Sequence, residues 1–177
     1  MTRLIICGLA SAALALGLSV YGLSQVLHAG EPSAAEIPLP PDYRDWKLVS
    51  VAQENGQNND IRAILGNAVA IEAFRNNVRP FPDGSVIVRL AWRYQSSPRN
   101  DAVFPAPQSF VAGPATNVQI SVKDSRRFAE TAGWGYGQFE GGKPTQTPGL
   151  AKACYSCHAK LQTLTPGADY VFTDYSH

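Results

Sequence analysis

Two cysteines and a histidine lie within five residues near the end of the chain: Cys154, Cys157 and His158, in "AKACYSCHAKL". A C-x-x-C pair is typical of a structural disulfide, a thioredoxin-like redox pair, half of a zinc site or a covalent haem attachment site. Structural zinc needs four protein ligands, and the other histidines, His28 and His177, lie at the leader boundary and at the terminus. A redox pair belongs at the start of a helix after a strand, whereas this pair lies amid helix-forming residues.

Covalent haem attachment agrees with each residue of the cluster. Two thiols spaced three residues apart can add to the two vinyl groups of one haem, and a histidine directly after the second thiol can ligate the iron. Thr147 is the predicted N-cap of a helix with Pro148 in its first turn, and helix formers continue to Pro166. The sequence therefore predicts one covalently attached haem c, held by Cys154 and Cys157, with His158 as its iron ligand.

The first thirty residues contain one charge, Arg3, and a long apolar run. They predict a signal peptide over residues 1–29, followed by a Pro-rich tether over 30–41 and a haem domain over 42–177. The apolar run approaches the roughly 20 residues that span a bilayer, so a membrane anchor is the alternative. Covalent haem attachment takes place outside the cytoplasm, and we expect a periplasmic protein that is membrane-anchored if the leader is retained.

The charge balance gives no sign of a nucleic-acid partner. The chain has 15 Lys and Arg residues against 14 Asp and Glu residues, without basic clusters. A patch of positive charge is the usual electrostatic signature of nucleic-acid binding. We therefore expect no nucleic-acid partner.

The ligand on the second side of the iron decides what such a haem can do. Electron-transfer cytochromes usually place a methionine there, but the only methionine is Met1. His28 and His177 lie at the chain ends, which are usually mobile. The sequence thus predicts an open iron position that binds or converts a small molecule, and it disfavours plain electron transfer.

The body of the chain resembles a sheet protein more than a helical bundle. Strands are predicted in "DWKLVSVAQ", "DIRAILGN", "PDGSVIVRLAWRYQ", "NVQISVKDS", "GWGYGQFEGGKP" and "DYVFTDYS", and a short helix in "AVAIEAFRNN". In "NVQISVKDS", Val118, Ile120 and Val122 alternate with polar residues, as in a half-buried strand. The predicted class is α+β, mainly β: an antiparallel sheet with a few short helices on one side and a C-terminal haem-binding helix.

Several of these segments, in the same order, resemble the cytochrome P-460 family and its cytochrome c′-β relatives. The resemblance rests on "PPDYRDWKLV", "DIRAILGN", "FPDGSVIVRLAW", "VQISVKDSRRFAETAGWGYGQF", "ACYSCHA" and "DYVFTDYS". It implies a mainly antiparallel β fold, a homodimer, and a c-type haem ligated by one histidine in an open pocket. It also implies nitric oxide or hydroxylamine as ligand or substrate.

The sequence departs from this family at the position of a lysine that cross-links the haem in true P-460 enzymes. That position corresponds to Arg89, and an arginine is always protonated and a poor nucleophile. A carboxylate of the hydroxylamine-oxidising members corresponds to Gln119, which cannot act as a general base. Arg62 matches an arginine that is common in the family.

Each of these three positions also has a purely structural interpretation. Arg89 either faces solvent or points into the haem pocket, where it could pair with a propionate or donate to an iron-bound ligand. Arg62 could be an ion-pair partner. Gln119 alternates with Val118 and Ile120, so it lies on the opposite face of the strand, which faces either the pocket or solvent. The three tryptophans, Trp46, Trp92 and Trp134, are assigned to the core.

The expected function is that of an exported c-type haem protein whose open iron binds or converts a small nitrogen species, nitric oxide or hydroxylamine. The alternatives are a peroxidase-like or hydroxylamine-oxidising enzyme and a simple electron-transfer cytochrome. The expected partner is a small-molecule ligand or substrate, and a redox partner protein stays open.

Overall fold

Six strands form one antiparallel sheet in which each strand pairs with its neighbour in sequence. The computed structural model describes residues 37–176. The strands are β1 (Lys47–Glu54), β2 (Asp60–Gly66), β3 (Val86–Ser96), β4 (Phe110–Lys123), β5 (Trp134–Glu140) and β6 (Lys143–Pro144). They follow the segments in which β-branched and aromatic residues alternate with polar ones. The predicted mainly β fold with an antiparallel sheet is confirmed.

Three α-helices connect or follow the strands of the described chain: α1 (Ala68–Arg75), α2 (Pro98–Asp101) and α3 (Leu150–Leu164). The side chain of Asn67 caps α1 by accepting a hydrogen bond from the Ala70 amide, 3.0 Å away. The prediction that Thr147 caps α3 is wrong. Gly149 occupies the N-cap with a φ of +74°, a conformation that glycine adopts without steric cost.

The two faces of the sheet carry separate apolar clusters. On one face Ile64, Ile87, Trp134 and Tyr136 pack with the buried side of α1, and Cys154 and Tyr155 of α3 pack against this cluster. On the other face Val88, Ile120, Phe128 and Phe139 pack together, with Val118 and Val122 beside them. Both α1 and α3 therefore lie on one side of the sheet, as the sequence predicted. Trp134 is a core residue, and Trp46 is half-buried on the second face.

The strand predicted in "DYVFTDYS" is wrong. Within residues 37–176 no strand follows α3, and the segment is joined to β1 by one main-chain bond, from the Ser176 amide to the Val49 carbonyl at 2.9 Å. Asp169 and Tyr170 have φ values of +46° and +63°, which interrupt the extended backbone that a strand requires. The side chain of Asp169 is buried, so tertiary contacts fix this conformation.

Residues 1–36 and His177 lie outside the described part of the chain, and with them the predicted signal peptide, His28 and most of the Pro-rich segment. The described end of that segment packs on the sheet, since Ile37 is 3% exposed and Leu39 contacts the same cluster. In residues 37–176 no helix combines the length and hydropathy needed to cross a membrane.

A glycine in β5 allows an aromatic ring to lie directly on the strand. A Cβ atom at Gly135 would lie closer than 3.0 Å to three atoms of the Phe128 ring, which is 2% exposed. We expect Gly135→Ala to lower the free energy of unfolding by about 1–3 kcal/mol, because overpacking forces the ring from its position. Urea denaturation of the purified variant measures the change.

The matched control is the same substitution in a Phe128→Leu background, where the flexible smaller side chain can yield. The cost of adding the methyl group should be smaller in that background. An equal cost in both backgrounds would mean that contact with Phe128 is not the cause.

Candidate functional site

Helix α3 presents the cysteine and histidine cluster on its second and third turns. Cys154 and His158 are four residues apart and Cys157 is three residues from Cys154, so the three side chains share one side of the helix. Cys154 is half-buried against the cluster under α1, whereas Cys157 is exposed, and both thiols are free. The predicted helix does bring the three groups together.

The imidazole of His158 lies between two aromatic side chains. Its ring centroid is 4.7 Å from that of Tyr136 in β5 and 4.9 Å from that of Phe172. Its Nδ1 is 2.5 Å from the main-chain oxygen of Tyr170. A carbonyl oxygen can only accept, so Nδ1 carries the proton and donates it, and Nε2 keeps its lone pair.

Burial keeps this imidazole neutral. It lowers the pKa of His158, and the bond to the Tyr170 carbonyl opposes that shift only in part. A neutral imidazole whose Nδ1–H is bonded to a carbonyl is the state in which histidine ligates a metal through Nε2. The donor set is therefore suited to an iron ligand.

The thiols differ from those of a redox-active pair. Burial, and to a lesser degree the neighbouring Cys157, raises the pKa of Cys154, whereas reactive pairs have a lowered thiol pKa. Cys154 is also the fifth residue of α3 and lies beyond the first turn, where the helix dipole would stabilise a thiolate. These features leave the attachment role as the better interpretation of the pair.

A polar cavity of about 380 Å³ opens on the same face of the sheet as α1 and α3. Its lining is formed by β2 to β5 and the turn before β2, and it includes all three positions that the family resemblance indicated. The lining side chains are Gln57, Asn58, Asp60, Arg62, Arg89, Arg93, Thr116, Asn117, Gln119 and Gln138.

One buried carboxylate organises the arginines of this cavity. Asp60, with a side chain 4% exposed, accepts from Arg62 Nη2 at 2.7 Å and from Arg89 Nη2 at 2.6 Å. Arg89 also donates to Asn117 Oδ1 at 2.9 Å, and burial, with the nearby Arg62 charge, lowers its pKa. The Nε of Arg89 is buried without a hydrogen-bond partner.

The three residues that the family resemblance indicated thus lie together. Arg89 does not face bulk solvent, since its side chain is 16% exposed and it lies on the α3 side of the sheet. Arg62 is an ion-pair partner, the structural interpretation, and it lines the cavity as well. Gln119 pairs in register with Arg89 and donates to Gln138 Oε1 at 2.8 Å.

Strand register places this cavity beside the histidine. Tyr136 and Gln138 are two residues apart on the same face of β5, a separation of about 7 Å along the strand. Tyr136 contacts His158, while Gln138 lines the cavity. The cavity therefore begins one step along β5 from the residue that covers the imidazole.

The family model described as Cytochrome P460 matches residues 40–173, which is most of the chain. The chain belongs to the cytochrome P460 family. No curated protein shows a significantly similar sequence.

Membership of the cytochrome P460 family implies a haem cofactor, and the residues present fit one. The protonated Nδ1 and free Nε2 of His158 are suited to iron, and the two unpaired thiols lie on the same helix. The hydroxyl of Tyr136 is buried beside His158 without a partner. Burial, and then the nearby Cys154, raises the pKa of Tyr136, so this hydroxyl stays protonated.

Sequence reasoning missed three contributors to the site. Asp60 could have been predicted, because it lies two residues before Arg62 and its side chain is therefore on the same face of β2 as that of Arg62. Phe172 lies in a segment whose predicted strand does not form. The Tyr170 carbonyl could not be predicted, because every residue has a main-chain carbonyl and the residue type does not show which one accepts a hydrogen bond.

Removing the central carboxylate should destabilise the cavity. We expect Asp60→Asn to lower the free energy of unfolding by about 3–5 kcal/mol, because two half-buried guanidinium groups lose their shared counter-charge. Chemical denaturation measures the loss.

Glu54→Gln is the matched control, since Glu54 pairs with the same Arg62 at 3.4 Å but its side chain is 46% exposed. We expect it to cost less than about 1 kcal/mol, as surface pairs do. Equal effects for the two variants would contradict a central role of Asp60.

Proposed function

We propose that this protein is an exported c-type haem protein whose open iron position binds or converts a small nitrogen species, nitric oxide or hydroxylamine. The observation that supports it most directly is the contact between His158 Nδ1 and the Tyr170 carbonyl, which leaves Nε2 free to ligate iron. When bound, haem iron supplies a redox centre and a coordination position for such a molecule.

Covalent attachment is supported by the two thiols. Cys154 and Cys157 lie on the side of α3 that carries His158, at the spacing that matches the two vinyl groups of haem. In this proposal the half-buried Cys154 and the exposed Cys157 would each form one thioether bond to the haem. Attachment of this type agrees with the predicted leader and with a periplasmic location, free or membrane-anchored.

An open iron position is supported by the composition of the described chain. Between residues 37 and 176 the sequence contains no methionine, and His158 is its single histidine. The polar cavity lies one step along β5 from Tyr136, and it offers hydrogen-bond donors to a small ligand. Binding of a ligand therefore fits this site better than electron transfer alone.

Arg89 is the proposed recognition residue of the cavity. Two of its nitrogens are committed to Asp60 and Asn117, which fix the guanidinium, and its buried Nε has no partner. A fixed donor next to a ligand site can hydrogen-bond the nitrogen or oxygen atom of a bound molecule. The same donor would polarise a bound oxygen in a peroxidase-like reaction, which is the second candidate function.

Hydroxylamine oxidation of the P-460 type is less well supported than binding. The family resemblance makes Arg89 the counterpart of the cross-linking lysine, and an arginine remains protonated. By the same resemblance Gln119 is the counterpart of a carboxylate. Its amide donates to Gln138, and it offers no proton acceptor of comparable basicity. A homodimer remains a prediction from the family resemblance, and a redox partner protein stays open.

The attachment proposal is tested by expressing the full chain with export and haem maturation. Wild-type haem should stay with the polypeptide after acid and organic extraction, and the pyridine haemochrome spectrum should be of the c type. The double variant Cys154→Ser with Cys157→Ser should lose all covalent haem. Ser156→Ala, which lies between the cysteines, should retain it, and haem that extracts from the wild type would contradict the proposal.

The open position is tested by optical and resonance Raman spectra of the holoprotein without added ligand. We expect high-spin iron in the ferric and ferrous states, and binding of nitric oxide without displacement of a protein ligand. A six-coordinate low-spin spectrum of the ligand-free protein would contradict this proposal.

The role of Arg89 is tested by ligand titration. Arg89→Met should weaken binding of hydroxylamine to the ferric protein about tenfold or more, because a hydrogen bond from a charged donor is lost. Arg93→Met is the matched control, since Arg93 lines the same cavity but is exposed and donates to the Asn58 carbonyl at 2.8 Å. Equal affinities for both variants would show that Arg89 does not reach the ligand.

A further inference from the structure

A second buried ion pair lies on the same face of the sheet, on the far side of Tyr136 from the cavity. Lys123 Nζ at the end of β4 donates to the two carboxylate oxygens of Asp169 at 3.0 and 3.2 Å, and the side chains are 7% and 9% exposed. Lys123 also donates to the Ala132 carbonyl at 3.2 Å, and its ammonium lies 4.9 Å from the Trp134 ring centroid. The lysine charge is thus fully engaged, as a buried charge requires.

Asp169 has a second contact that fixes the chain after α3. Its carboxylate accepts a hydrogen bond from the Phe81 amide at 2.6 Å, so it joins β4 to the segment before β3. Its own φ of +46° and the φ of +63° at Tyr170 are left-handed values. Aspartate adopts such values at little cost, whereas a bulky residue such as tyrosine keeps them where surrounding contacts hold it.

This left-handed turn directs the Tyr170 carbonyl to the histidine. The Tyr170 amide is held by Gln162 Oε1 at 3.3 Å, and its ring stacks on Tyr155 of α3 at 5.7 Å. Its carbonyl oxygen then accepts from His158 Nδ1. A continuous set of contacts therefore runs from the buried Lys123 through Asp169 to the acceptor of the imidazole.

We propose that Lys123 and Asp169 are positioning residues for His158, an inference that rests on the proposed role of His158 as iron ligand. The pair fixes the turn at residues 169–170, and the turn fixes the acceptor that orients the imidazole. A hydrogen bond from Nδ1–H makes the ligating nitrogen more basic and favours the ferric state. The pair thereby strengthens the bond between His158 and iron and lowers the reduction potential.

The test uses ferrous holoprotein, with the iron–histidine stretching band in resonance Raman spectra and the midpoint potential as readouts. Asp169→Asn should move the band to lower frequency and raise the potential, because the turn loses its charged anchor. Lys123→Gln should shift both readouts in the same direction, and Lys123→Arg, which retains the charge, should keep them near the wild-type values.

Asp101→Asn is the matched control. Asp101 also holds a loop, through the Gln108 and Ser109 amides at 2.8 and 2.7 Å, but it has no bond to the turn at 169–170. Its loss should leave the band and the potential unchanged. A shift as large as that of Asp169→Asn would mean that loosening any loop has this effect, and it would overturn the proposal.

The remaining outcomes separate the two proposals. A wild-type protein that is high-spin in the ferrous state but has no iron–histidine band would contradict the role of His158 itself. A wild-type band that is unchanged in Asp169→Asn would overturn only the positioning role. Where circular dichroism shows that Asp169→Asn does not fold, the milder Lys123→Gln decides, and an unchanged band in that variant overturns the inference equally.

Discussion

The hydrogen bond from the imidazole of His158 to the main-chain oxygen of Tyr170 is one of the contacts that connect helix α3 to the segment that follows it. Because a carbonyl cannot donate, this contact decides which ring nitrogen is protonated and which is available to iron. The contact depends on the direction of one carbonyl, and that direction depends on two consecutive left-handed residues. The chemistry of the site therefore depends on backbone geometry that a buried ion pair, remote in sequence, maintains.

Side chains on one face of the sheet form three successive rows across β4 and β5, and each row has a different role in the site. The first row contains Lys123 and Trp134, and the second contains Ser121 and Tyr136. The third contains Gln119 and Gln138, with Arg89 beside them. The histidine lies against the middle row, the buried pair supports it from the first, and the cavity opens at the third. Because alternate residues of β4 and β5 point to the same side, one face of the sheet carries the buried pair, the residues against the histidine and the cavity lining.

The sequence predicted the sheet better than it predicted the site. The strands around Val88 and Ile120 follow an alternation that burial of one face requires, and such a pattern is local. "DYVFTDYS" has a similar composition but forms no strand, because the bond between Asp169 and Lys123 imposes a turn and joins residues far apart in sequence. Asp60 could have been found from its spacing to Arg62. The Tyr170 carbonyl could not, since its role depends on φ and not on a side chain.

The identity of residue 89 bears on what the cavity can do with a bound molecule. A lysine with a lowered pKa can lose its proton and attack, whereas a guanidinium remains charged even when burial lowers its pKa. Asp60 pairs with it and keeps it in place, and the neighbouring Gln119 offers an amide, which cannot act as a base. The cavity can therefore donate hydrogen bonds to a ligand at any physiological pH, but these residues do not readily remove a proton from it. Such a site stabilises a bound molecule more readily than it converts one by proton transfer.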